Sequence, residues 1–135
     1  VQAFVKGSRV VQPVKADTLA KSLAIGDPAA GPYAVQTLQE TGGTAVAAPE
    51  DEIVEGIQLL AETEGIFTET AGGVVISGLR KLAESGAIKR DEVTVAFITG
   101  NGLKTQEVVS DIAKPINIRP TYKSFEENMA EYLKP

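Results

Sequence analysis

The residues best suited to chemistry lie in Thr94-Val-Ala-Phe-Ile-Thr-Gly-Asn-Gly-Leu-Lys104. An apolar, β-branched run ends there in the hydroxyl of Thr99, then in Gly100, Asn101 and Gly102. That pattern predicts a buried strand stopping in a tight polar loop. In an open α/β sheet such a loop lies beyond the carboxyl end of a strand, where ligands bind. Glu69-Thr70-Ala71-Gly72-Gly73 is the second group. It reads as a helix start, whose free N–H groups favour an anion, with small side chains and one carboxylate. The third is Ser22-Leu23-Ala24-Ile25-Gly26-Asp27-Pro28, a helix end and turn. Each group also has a plainer account. Gly and Asn suit an ordinary turn, Thr70 suits a cap, and small residues suit close packing. From the residues alone the plainer account is favoured.

Composition removes whole classes of chemistry. The 135-residue chain has no cysteine and no histidine. Disulfides, thiol nucleophiles, the usual zinc sites and a Ser-His triad are therefore excluded. The net charge is −5, and the basic residues form no stripe, so the sequence does not read as a nucleic-acid binder. No apolar run approaches membrane-spanning length, and no cleavable leader is visible. A cytoplasmic location is the default expectation. The first residues are Val1-Gln2-Ala3, and we expect a fragment or processed product.

The elements that must position these groups follow from periodicity. Residues 1–14 read as a strand end and loop, and Asp17 or Thr18 as the cap of a short helix through Ala24. Pro32 suits the first turn of a second helix, closed by Gly42-Gly43. Residues 44–48 read as a short strand. Ile53, Ile57, Leu60 and Ala61 keep helical spacing up to Gly65. Val75, Leu79, Leu82 and Ala83 form the expected buried face of the next helix, which ends at Gly86. Residues 93–98 are the strongest strand, followed by a helix over 104–112 and an extended 114–120. Ser124 and Glu127 form a capping box for a tail helix with a Phe125, Met129, Tyr132, Leu133 stripe. The expected class is α/β: a partial three-layer α/β/α arrangement with a short parallel sheet. Residues 1–120 form one unit and 121–135 a helical tail. So narrow a sheet leaves apolar faces uncovered, which implies part of a larger domain or a homo-oligomer.

Taken in order, the three segments resemble the C-terminal part of the threonine synthases, pyridoxal-phosphate (PLP) enzymes of the tryptophan-synthase-β-like fold type II. The resemblance runs to about Lys104. It implies conversion of O-phosphohomoserine and water to threonine and phosphate, with PLP as the electron sink. It implies that Thr99, with Gly100 and Asn101, contacts the pyridine ring, whose nitrogen meets a neutral hydroxyl rather than a carboxylate. Glu69 and Ala71 are implied on the cofactor side, and Ser22 and Ala24 on the substrate side. Many relatives have proline at the Thr70 position, and some have arginine near Ala24. No catalytic residue and no metal ligand is assigned. None of the lysines lies in the family's cofactor-lysine motif, and the glycine-rich phosphate loop is missing. The chain alone is therefore expected to be inactive and not to retain PLP. Threonine dehydratase, another fold type II enzyme, or a non-catalytic oligomerising module are the alternatives.

Overall fold

The computed structural model describes residues 1–112, 114, 116–130 and 132. It is built on five α-helices among those residues: α1 (Gln2–Val5), α2 (Gly31–Thr41), α3 (Glu50–Glu64), α4 (Thr70–Glu84) and α5 (Tyr122–Met129). Tight 3₁₀ turns at Lys21–Leu23 and Gln106–Val109 stand where longer helices were expected, and a third, Gly102–Lys104, closes the expected polar loop.

Helix α3 begins after Pro49, with Glu50, Asp51 and Glu52 in its first turn, where the helix dipole favours negative charge. It ends at Gly65, whose φ of 68° is the left-handed conformation that glycine adopts without steric cost. Of its expected apolar stripe, Ile53, Ile57 and Leu60 are buried, as the spacing predicts, while Ala61 is exposed.

That stripe packs on α4, though not on the face expected. The buried residues of α4 are Thr70, Ala71, Gly72, Gly73, Ile76, Ser77 and Gly78. Val75 is 36% exposed, Leu79 and Leu82 are half-buried, and Ala83 is exposed. The small-residue face wins because it lets the backbones approach. A Cβ on Gly56 would stand 2.5 Å from the Gly73 carbonyl oxygen, and one on Gly73 would meet the Ile53 carbonyl and Ile57 side chain. Polar groups close the seam beside this crossing. The Ser77 hydroxyl donates to Glu52 Oε2 at 2.8 Å, Lys81 Nζ lies 3.0 Å from the same oxygen, and Arg80 pairs with Glu55 at 2.9 Å.

The parallel sheet does not form among the described residues, which hold one isolated antiparallel bridge between Thr68 and Asn101. Residues 93–98 are irregular, with Val93, Val95 and Phe97 exposed at 97%, 71% and 75%. A buried parallel strand needs paired neighbours and two covered faces, and no described segment supplies them. Residues 44–48 are irregular for the same reason. At the tail, Thr121 rather than Ser124 caps α5, accepting from the Ser124 N–H at 3.2 Å. Leu133 of the expected stripe lies outside the described residues.

Two measurements check this packing. Gly73→Ala is expected to destabilise the chain by about 1–3 kcal/mol in urea denaturation, from overpacking. Stabilisation by the roughly 1 kcal/mol of helix propensity that Ala gains over Gly would mean the helices do not cross there. The second concerns acid. Hydrogen bonds from Lys81 and then Ser77 hold the Glu52 carboxyl below its ordinary value. Its contribution is therefore complete above the ordinary, unfolded value and is lost as pH falls through the lower, folded one. Urea midpoints of Glu52→Gln taken from about pH 6 to pH 3 should show a flatter acid limb than the parent. Parallel limbs would contradict the assignment.

Candidate functional site

Helix α4 starts at a sharp change of backbone direction. Glu69 holds the N-cap position in extended conformation, with φ −69° and ψ 173°, but its side chain does not cap. Thr70, expected as the cap, is the first helical residue. Its N–H donates to Thr105 Oγ1 at 3.2 Å, and its own hydroxyl is buried without a hydrogen-bond partner. Thr68 and Thr70 are wholly buried, and Glu69 is 5% exposed.

The Thr99 loop lies against this start. The Gly100 carbonyl accepts from the Glu69 N–H at 3.1 Å and from the Thr68 hydroxyl at 3.0 Å. The Gly102 N–H donates to the Phe67 carbonyl at 3.0 Å. Glycine is required at both loop positions by space. A Cβ on Gly100 would fall on the Glu69 carboxylate, and one on Gly102 would meet the Phe67 ring at 2.5 Å. Asn101 caps the following 3₁₀ turn, its Oδ1 accepting from the Leu103 N–H at 2.9 Å. That turn brings Lys104 Nζ to 3.5 Å from Glu69 Oε1.

Of the residues singled out in the sequence, Glu69, Ala71, Gly100 and Asn101 are thus gathered around one junction. Thr99 is exposed beside it, Gly100 half-buried and Asn101 exposed. Ser22 is exposed and Ala24 half-buried, on or beside a turn that packs on α4. That turn is fixed by Glu50, whose Oε2 accepts from the Leu19 N–H at 2.8 Å. The same backbone bond, then the Thr18 hydroxyl, hold the Glu50 carboxyl below its ordinary value. No hydrogen bond among the described residues joins Ser22 or Ala24 to the Thr99 loop.

Thr68, Lys104 and Thr105 were missed as organisers of the junction. Each pairs with a residue more than thirty positions away, so local spacing carries no signal for them. A cavity of about 480 Å³ lies elsewhere, between the N-terminal segment and α2, walled by Phe4, Val11, Val35 and Leu38. Of the three singled-out segments only Pro28 borders it; Thr99, Gly100, Asn101, Glu69, Ala71, Ser22 and Ala24 do not. No group of acidic side chains among the described residues is arranged to hold a metal.

The donor set suits one edge of a PLP ring. An exposed neutral hydroxyl stands on a loop pinned by its backbone, beside a helix start of small residues that holds an unpartnered buried hydroxyl. Gly100→Ala is expected to cost about 1–3 kcal/mol in denaturant unfolding, and less than about 0.5 kcal/mol in a Glu69→Ala background. An equal cost in both backgrounds would place the clash elsewhere.

Known proteins match most of the chain. The pattern of the pyridoxal-phosphate dependent enzyme family covers residues 1–100. A threonine synthase of Methanocaldococcus jannaschii is 42% identical over 120 residues, 87% of this chain and 30% of the relative. The threonine synthase of Bacillus sp. (strain ULM1) is 39% identical over 106 residues, covering 78% and 29%. That of Methanosarcina acetivorans is 36% identical over 115 residues, covering 84% and 28%. The chain spans about three-tenths of the length of these curated relatives. With most of its length matched by the family pattern, including the helix start on which the Thr99 loop rests, the chain belongs to the pyridoxal-phosphate dependent enzymes.

Proposed function

We propose that this chain is the C-terminal part of a threonine-synthase-like enzyme, carrying the ring-nitrogen side of the cofactor site and one flank of the substrate pocket. The whole enzyme would convert O-phosphohomoserine and water to threonine and phosphate. The observation that carries this reading is the docking of the Thr99 loop on the α4 start, in a chain 36–42% identical to threonine synthases. When bound, PLP supplies an electron sink for carbanions at the amino-acid carbons. The Thr99 hydroxyl offers the ring nitrogen a hydrogen bond without a formal charge, so the nitrogen is not held protonated as a carboxylate would hold it. Gly100, Asn101, Glu69 and Ala71 border the ring, and Ser22 and Ala24 the substrate.

The cofactor lysine and the phosphate loop belong to the remaining part of the enzyme. By this reading residues 93–98 become a parallel strand once neighbours are supplied, which covers Val93, Val95 and Phe97. Alone, the chain is catalytically silent and self-associates through such exposed apolar rows.

The test is reassembly with a lysine-bearing N-terminal portion of a threonine synthase, following phosphate release from O-phosphohomoserine. Thr99→Ser should retain most turnover because the donor survives. Thr99→Val leaves a buried polar partner unmet at about 1–3 kcal/mol, so turnover should fall roughly ten- to hundredfold. Parent turnover in a stably folded Thr99→Val enzyme would remove Thr99 from the ring.

A further inference from the structure

Lys104 makes one contact that the assignment of Thr99 does not use. The Glu69 side chain is 7% exposed, and Lys104 Nζ at 3.5 Å is the one cationic group paired with it among the described residues. The Glu69 carboxylate also fills the space where a Gly100 side chain would stand. A carboxylate so enclosed needs a counter-charge to stay where it is. The lysine is delivered by the Asn101-capped turn, and so by the loop that Glu69 supports. Lysine, carboxylate and the Gly100 backbone therefore form a closed loop of contacts around the two backbone bonds that join these segments, Glu69 N–H to Gly100 and Gly102 N–H to Phe67.

We propose that Lys104 is a positioning residue: its ammonium group, acting through Glu69, latches the Thr99–Gly102 loop to the start of α4 and so sets where the Thr99 hydroxyl stands. The latch rests on the reading of Thr99 as the ring-facing group. Lys104 itself is 63% exposed in its side chain and touches the site only through Glu69. It thus differs from a cofactor lysine, which must reach the reacting atoms.

Amide hydrogen exchange on the full 135-residue chain tests it without cofactor or turnover. Lys104→Met keeps the stem and removes the charge. It should speed exchange of the Glu69 and Gly102 amides roughly three- to tenfold, the scale of one partly buried ion pair. Amides of Ile57 and Ile76, in the α3–α4 packing, should keep their rates. Lys104→Arg should restore slow exchange, and Lys104→Met added to Glu69→Gln should bring no further change. Unaltered Glu69 and Gly102 exchange in Lys104→Met would overturn the latch, and so would an undiminished effect of that change in the Glu69→Gln background. Because exchange is read without the cofactor, failure here leaves the role of Thr99 standing. That role is judged by turnover of the Thr99→Val enzyme alone.

Discussion

The close crossing of α3 and α4 governs everything built on it. Two glycines, Gly56 and Gly73, let the helix backbones approach to a distance that no side chain there would permit. The crossing lies one turn inside the α4 N-terminus, so it fixes Thr68, Glu69 and Thr70 as well. Thr68 and Glu69 present the donors that pin the Gly100 carbonyl, and the loop has little freedom once both bonds are made. Packing of small residues is thereby converted into the placement of a hydroxyl on a distant stretch of chain.

Much of this was legible in the residues, and the misses have identifiable physics. Gly42 and Gly65 were read correctly as helix ends because a left-handed cap has few alternatives to glycine. The α3 stripe was legible because Ile53, Ile57 and Leu60 are large and regularly spaced. The α4 face was misread because it carries two candidate stripes, one bulky and one small. Periodicity favours Val75 and Leu79, whereas backbone approach favours Gly73 and Ser77. The strand at 93–98 has strong local signals, but a strand is completed by partners rather than by its own residues. The junction between residues 67–70 and 100–105 rests on contacts across more than thirty positions, which no local window contains. For the site, the TGNG and ETAGG segments were singled out through family resemblance, and the fold brings them to one junction. Their meeting at a shared carbonyl, with Lys104 over Glu69, was visible only in the fold.

Division of labour follows from what the sequence holds. The segment matched to threonine synthases covers about three-tenths of those proteins, and its junction offers pinned backbone and neutral hydroxyls. In the proposed function such groups would orient and tune a cofactor held by other residues. The acidic first turn of α3 serves the same end indirectly. Glu50 anchors the turn bearing Ser22, while Glu52 locks α3 to Ser77 and Lys81 on α4. Both edges of the proposed pocket are thus referred to one helix pair.

The most direct measurement of whether the loop is docked on α4 is a solution nuclear Overhauser experiment on the isotopically labelled chain. The account expects strong cross-peaks from the Gly100 α-protons to the Glu69 side chain, and from the Gly102 α-protons to the Phe67 ring. It also expects ring-current-shifted Gly102 signals. Gly100 and Gly102 α-protons at random-coil positions, without cross-peaks to Glu69 or Phe67, in a chain whose Ile53 and Ile76 signals show α3 and α4 packed, would contradict it.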